Sequence, residues 1–205
     1  MTLSLRALPA LLVTLLIPAA ASAQAGAIDT AKIFAALDVR EGATVCEIGA
    51  GDGELSIAAA KAVGAQGRIF TSELGDGRLQ QLRTRIAAAN QPQITVVDGD
   101  ASRTNFADAS CDALFMRNVY HHFLAPSQMN LSIAAALKPG GRLAIVDFAP
   151  PGAEAPCPAD RGKDGMHGVA ADTVSRELKE AGFEALAFES GAQRWFMVVV
   201  AKPRT

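Results

Sequence analysis

The sequence predicts an α/β fold: a three-layer sandwich whose mostly parallel, seven-stranded sheet ends in an antiparallel last strand. Three observations carry this. Short apolar runs alternate with segments of helical periodicity. The runs are continuous in hydrophobicity, as strands buried on both faces require. The last two runs, "FEALAFES" and "RWFMVVVAK", are separated by little more than Ser190-Gly191. No crossover helix fits between them, so they must pair antiparallel.

The elements follow in order. Ile28 to Leu37 has helical spacing, with Ile28, Ala31, Phe34 and Ala35 on one face. Thr44 to Ile48 is the first strand, and Gly53 to Val63 an Ala-rich helix. Arg68 to Ser72 is the second strand. Asp76 to Ala89 is helical, placing Leu79, Leu82 and Ile86 together. "QITVVDGD" and "CDALFMRN" are the third and fourth strands. Ser127 to Leu137 is a helix that stops before Pro139-Gly140-Gly141, and "RLAIVDF" is the fifth strand. Pro150 to Gly168 is rich in Pro, Gly and charge and has no periodicity. Such a segment reads as a mobile cover over a pocket. Ala171 to Ala181 is a helix ending at Gly182, a good left-handed cap.

Composition narrows the function classes. The 205 residues suffice for one domain, and a formal net charge of −2 gives no global attraction to nucleic acid or to an anionic membrane. The first residues read as an export signal. Arg6 lies in a short basic region, and Leu8 to Ile17 is an apolar core shorter than the ~20 residues of a spanning helix. Ala21-Ser22-Ala23 supplies a small-x-small cleavage pattern. Residues 1–23 are therefore expected to be a signal peptide and 24–205 the mature domain, exported to the periplasm or secreted. No stable membrane span is expected after cleavage.

The three cysteines, Cys46, Cys111 and Cys157, match no zinc spacing, and no metal is expected. Cys46 lies in an apolar strand and Cys111 just before another, so both read as buried free thiols. The odd count argues against a disulfide framework.

The chemistry concentrates at the carboxyl ends of the strands, where parallel sheets bind ligands. "VCEIGAGDGE" places Gly49, Gly51 and Gly53 in the first strand-to-helix turn. Glycine there lets a backbone approach a ligand closely. The spacing is not the G-x-G-x-x-G of dinucleotide sites. Asp52 and Glu54 also make the turn unfavourable for phosphate and better suited to a ligand with a positive centre.

On these residues the chain resembles the class I S-adenosylmethionine-dependent methyltransferases, from about Ile28 to the C-terminus. The resemblance implies a Rossmann-like fold and S-adenosylmethionine as cofactor. It implies that Glu47, Gly49, Ala50, Gly51 and Gly53 hold the methionine part. "FTSEL" puts Glu73, followed by Leu74, where the family keeps an acid for the ribose hydroxyls, and "DGDAS" puts Asp100 and Ala101 where adenine is read. "LFMRNVYHHF" resembles the segment after the fourth strand, adding Arg117 and Asn118. "LKPGGRLAIVDF" resembles the turn into strand five, and "HGVAADTVSRELKEAGFEAL" the closing segment. Asp52 departs from the family, where many members carry Thr or a small residue.

The acceptor side is expected in "RNVYHHF", with Tyr120, His121 and His122 as the catalytic candidates. Adjacent histidines cannot line one small pocket equally. His121 is expected to face the acceptor and His122 to be structural, with His167 and Asp147 as further pocket candidates. No basic or aromatic platform for nucleic acid is present, so the acceptor is expected to be a small molecule. An exported binding module without catalysis and a nicotinamide-dependent Rossmann enzyme are the alternatives. Nothing in the sequence fixes the oligomeric state.

Overall fold

In the computed structural model, residues 29–204 are described. The expected signal segment, its cleavage point and Ile28 lie outside the described residues. The seven strands are β1 (Thr44–Ile48), β2 (Arg68–Glu73), β3 (Ile94–Asp98), β4 (Cys111–Arg117), β5 (Leu137–Phe148), β6 (Glu184–Ser190) and β7 (Trp195–Ala201). They form one sheet in the order β3-β2-β1-β4-β5-β7-β6. Strands β1 to β5 pair in parallel, and β7 runs antiparallel to both of its neighbours. The predicted fold class is the observed one.

Among the described residues, five α-helices cover the sheet: α1 (Thr30–Ala36), α2 (Glu54–Val63), α3 (Asp76–Ala88), α4 (Pro126–Ala136) and α5 (Ala171–Glu180). Asp29 caps α1, its carboxylate accepting from the Ala31 N–H at 3.1 Å. Strand alternation divides the interior into two cores. Cys46, Leu114, Met116 and Ile145 pack on one face with α4 and α5 residues such as Ile133 and Leu178. Val45, Phe115, Ala144 and Val146 pack on the other with Ile33, Ala59 and Leu82.

Two local readings change. Helix α4 ends at Ala136, and β5 already begins at Leu137, running through Pro139-Gly140-Gly141. The break falls inside a strand because the ladder with β4 is irregular there, shifting register between Cys111 and Ala113. The second correction is covalent. Cys46 and Cys111 are not free thiols but a disulfide, with Cα atoms 5.9 Å apart. Both side chains point into the same core from neighbouring strands, which proximity in sequence does not reveal. Cys157 is free and exposed, so the odd count left one pair available.

Candidate active site

The sheet order places the topological switch point between β1 and β4, where one crossover runs toward β3 and the next toward β5. A cavity of about 610 Å³ opens at the carboxyl ends of these strands. Its wall includes Gly49, Gly51, Glu73, Leu74, Asp100, Ala101, Arg117, Asn118 and His122.

The turn after β1 is shaped by close approach. Gly49 has φ +71°, and a Cβ built there would lie 2.4 Å from a Val119 methyl. A Cβ on Gly51 would meet nothing within 4 Å, so this turn leaves space open along the cavity wall. Glu73 ends β2 nearly buried. Its carboxylate accepts from the Gly51 N–H at 2.8 Å and the Leu74 N–H at 2.7 Å, with Arg78 Nε 3.2 Å away. Two backbone donors thus fix the acid while leaving acceptor capacity. Leu74 is a large exposed apolar side chain beside it. Asp100 accepts from the Ser102 N–H and hydroxyl, both at 2.8 Å, and those bonds hold its carboxyl below the ordinary range.

Three residues expected at the cofactor, Glu47, Ala50 and Gly53, do not line the cavity. Glu47 is buried under α2, accepting from the Ser56 hydroxyl, with the Thr71 hydroxyl 3.4 Å away. Burial pushes its carboxyl up to about 7, against the opposing effect of the Ser56 bond. It faces the helix side because Cys46 and Ile48, its strand neighbours, take the other face. Ala50 is buried in the core. Gly53 packs against α3, where a Cβ would lie 2.8 Å from Leu82 and 3.0 Å from Ile86.

The segment after β4 forms a 3-10 turn, Tyr120–His122, not an α-helical turn. Its three residues per turn redistribute the side chains. Tyr120 is fully buried, donating to Glu177 Oε2 at 2.8 Å and accepting from Asn130 Nδ2 at 2.8 Å. Burial pushes its phenol far above the ordinary value, and the side chain sits in the core, away from the cavity wall. The two histidines are also placed otherwise than expected. His121 is buried, its backbone N–H and Nδ1 both bonded to the Asp147 carboxylate at 3.1 and 2.8 Å. His122 is the imidazole on the cavity wall. Partial desolvation at the cavity wall, and then the neighbouring His121, lowers its pKa below the ordinary value. His167 reaches in from the 150–168 segment, its Nε2 3.1 Å from that of His121.

That segment is anchored. Arg161 is buried and paired with Glu177 at 2.5 Å, and Glu154 accepts from the Ala170 N–H and the Thr173 hydroxyl. Sequence reasoning missed Glu154 and Glu177 because each pairs across the boundary between the 150–168 segment and the α5 region, Glu154 with Ala170 and Thr173 and Glu177 with Arg161.

Comparison with known proteins agrees with this geometry. A family model described as a methyltransferase domain matches residues 45–141, from β1 into β5. Over that span the chain is similar to S-adenosylmethionine-dependent methyltransferases. Similar curated proteins include the 27-O-demethylrifamycin SV methyltransferase of Amycolatopsis mediterranei. It is 29% identical over 80% of this chain and 62% of its own length. A ubiquinone/menaquinone biosynthesis C-methyltransferase of Pseudomonas putida is 34% identical over 55% of this chain and 44% of its own. The chain spans about half the length of most of the curated relatives it matches. Among solved structures, a methyltransferase of Aquifex aeolicus aligns with a TM-score of 0.72 at 20% identity, covering 84% of this chain and 89% of the other. A phosphoethanolamine N-methyltransferase of Haemonchus contortus, solved with S-adenosyl-L-methionine, aligns at 0.71 and 16% identity, over 85% of this chain and 52% of its own. S-adenosylmethionine is the cofactor of this family, and the acid-fixed turn and open cavity suit it.

Proposed function

We propose that the protein transfers a methyl group from S-adenosylmethionine to a small-molecule acceptor, and that it does so after export. The observation that carries the first part is the fixed Glu73 carboxylate at the cavity wall, beside the open turn at Gly51. In this reading Glu73 accepts the two ribose hydroxyls, and Leu74 covers one face of the adenine. Asp100 and the Ala101 N–H meet its edge. Gly49, Gly51, Arg117 and Asn118 surround the methionine part. When bound, the cofactor supplies an activated methyl on a sulfonium. The chain's own contribution is positioning and the exclusion of water, which provide most of the help in an in-line displacement. His122 is the imidazole the cavity presents to an acceptor.

Export rests on the pattern from Arg6 to Ala23. The Cys46–Cys111 disulfide supports it, because such bonds persist in oxidising compartments.

Calorimetric titration with S-adenosylhomocysteine and, separately, NAD tests the cofactor reading. Binding of the first and not the second is expected, and the reverse overturns it. A methyl-transfer screen over small hydroxyl, amine, thiol and carbon acceptors then tests catalysis. Cofactor binding with no transfer across the screen would favour a non-catalytic binding module.

A further inference from the structure

Three histidines converge beside the cavity from distant parts of the chain. His121 and His122 come from the 3-10 turn after β4, and His167 closes the segment before α5. One ring nitrogen of each lies within 4.8 Å of the others. The His121 and His167 Nε2 atoms are 3.1 Å apart. Nitrogens bound to one tetrahedral zinc at about 2.0–2.1 Å lie about 3.4 Å from each other.

The setting of His121 matches what a ligating imidazole needs. Its Nδ1 is bonded to Asp147, a fully buried carboxylate that also accepts the backbone N–H of His121 and of Phe148. That bond fixes the proton on Nδ1 and leaves the Nε2 lone pair directed at His167. A carboxylate behind a histidine is the usual support of a metal ligand. Phe148 packs against both rings, with centroids 4.9 Å from His121 and 5.2 Å from His167, and so holds them in place. His122 is exposed, and among the described residues no hydrogen bond holds its ring, so it is free to turn toward the other two.

We propose that His121, His122 and His167 bind one divalent transition-metal ion of the zinc class, supported by Asp147. Three imidazoles leave a fourth position open, and His122 places that position at the cavity wall. The open position takes the heteroatom of an acceptor thiol or hydroxyl, which binds as the anion and releases its proton to solvent. The metal site stands by itself; only its role toward the acceptor rests on the methyl-transfer reading.

The test uses tag-free protein carrying Cys157→Ser, so that no free thiol competes. Co2+ serves as the optical probe and Zn2+ as its competitor. One equivalent of Co2+ is expected to bind with the intense visible bands of a four-coordinate site, and Zn2+ is expected to displace it. His167→Ala, on an exposed side chain, is expected to lose that spectrum while melting like the parent. Asp147→Asn is expected to weaken metal binding about 10- to 100-fold. Azide, a small anion, is expected to shift the bands by entering the open position. Absence of Co2+ binding by the parent, or an unchanged spectrum in His167→Ala, overturns the site. Bands that azide does not move overturn the open position. S-adenosylhomocysteine binding is measured on the same samples. Loss of that binding with an intact metal spectrum would sink the methyl-transfer reading and leave the metal site standing.

Discussion

The Gly51 N–H donates to the Glu73 carboxylate at 2.8 Å, joining the turn after β1 to the end of β2. One acid thereby organises the turn and faces the cavity. Glu73→Gln replaces that carboxylate with an amide of the same size. It is expected to cost S-adenosylhomocysteine binding ~1.5–3 kcal/mol, about ten- to hundred-fold in affinity, because charge-assisted bonds are lost. Titration calorimetry reads the loss. Equal affinity in variant and parent would place the ribose elsewhere.

Gly49 is crowded by Val119 and sits at φ +71°. Gly49→Ala is expected to cost about 1–2 kcal/mol for the left-handed backbone and a further ~1–3 kcal/mol for overpacking. Adding Val119→Ala relieves only the second part. Urea unfolding of the single and double variants separates the two, and no recovery in the double variant would mean the contact is not the cause.

Burial raises the Glu47 carboxyl from 4.5 to about 7, so the fold prefers its protonated form. The sign follows: this stabilisation is complete below the unfolded value and is lost as pH rises through about 7. Glu47→Gln imitates the protonated form and lacks that dependence. The parent should lose on the order of 3 kcal/mol relative to the variant between about pH 4.5 and pH 8. Parallel pH profiles of unfolding free energy would contradict the assignment.

Tyr120→Phe removes the donor to Glu177 and the acceptor for Asn130 inside a buried network. A loss of about 1–3 kcal/mol in stability is expected, with S-adenosylhomocysteine affinity unchanged. Weakened binding at unchanged stability would return Tyr120 to the pocket.

The disulfide makes a countable claim. Denatured, unreduced protein should show a single reactive thiol, Cys157, and reduction should raise the count to three. Cys46→Ala with Cys111→Ala is expected to cost about 2–4 kcal/mol. Three thiols before reduction would remove the bond.

Much of this was legible in the sequence, and the rest was hidden for identifiable reasons. Continuous apolar runs and the short Ser190-Gly191 connection contain the sheet's direction pattern, because burial and chain reach impose it locally. Gly49, Glu73 and Asp100 reach the cavity because strand ends in a parallel sheet converge there. Pairings that depend on three-dimensional register were out of reach. Cys46 and Cys111 are 65 positions apart, and Tyr120 meets Glu177 across 57. The two histidines lie otherwise than expected because Tyr120–His122 is a 3-10 turn, whose side chains do not fall where an α-helical turn would put them. The cluster with His167 and Asp147 needed β5 and the 150–168 segment folded together first.

The bridge between Cys46 and Cys111 closes a covalent ring around α2, β2, α3 and β3. Gly51, Glu73 and Asp100 all lie inside that ring, whereas the three histidines lie outside it. A protease cutting the exposed turn at Ala107 to Ala109 would sever the main chain yet leave both fragments tethered through sulfur. Such a nicked molecule would run as one band until a reductant is added and as two afterwards. Detachment of the half bearing Glu73 from the half bearing the histidines would then depend on thiol chemistry in the surroundings, and backbone cleavage alone would not achieve it.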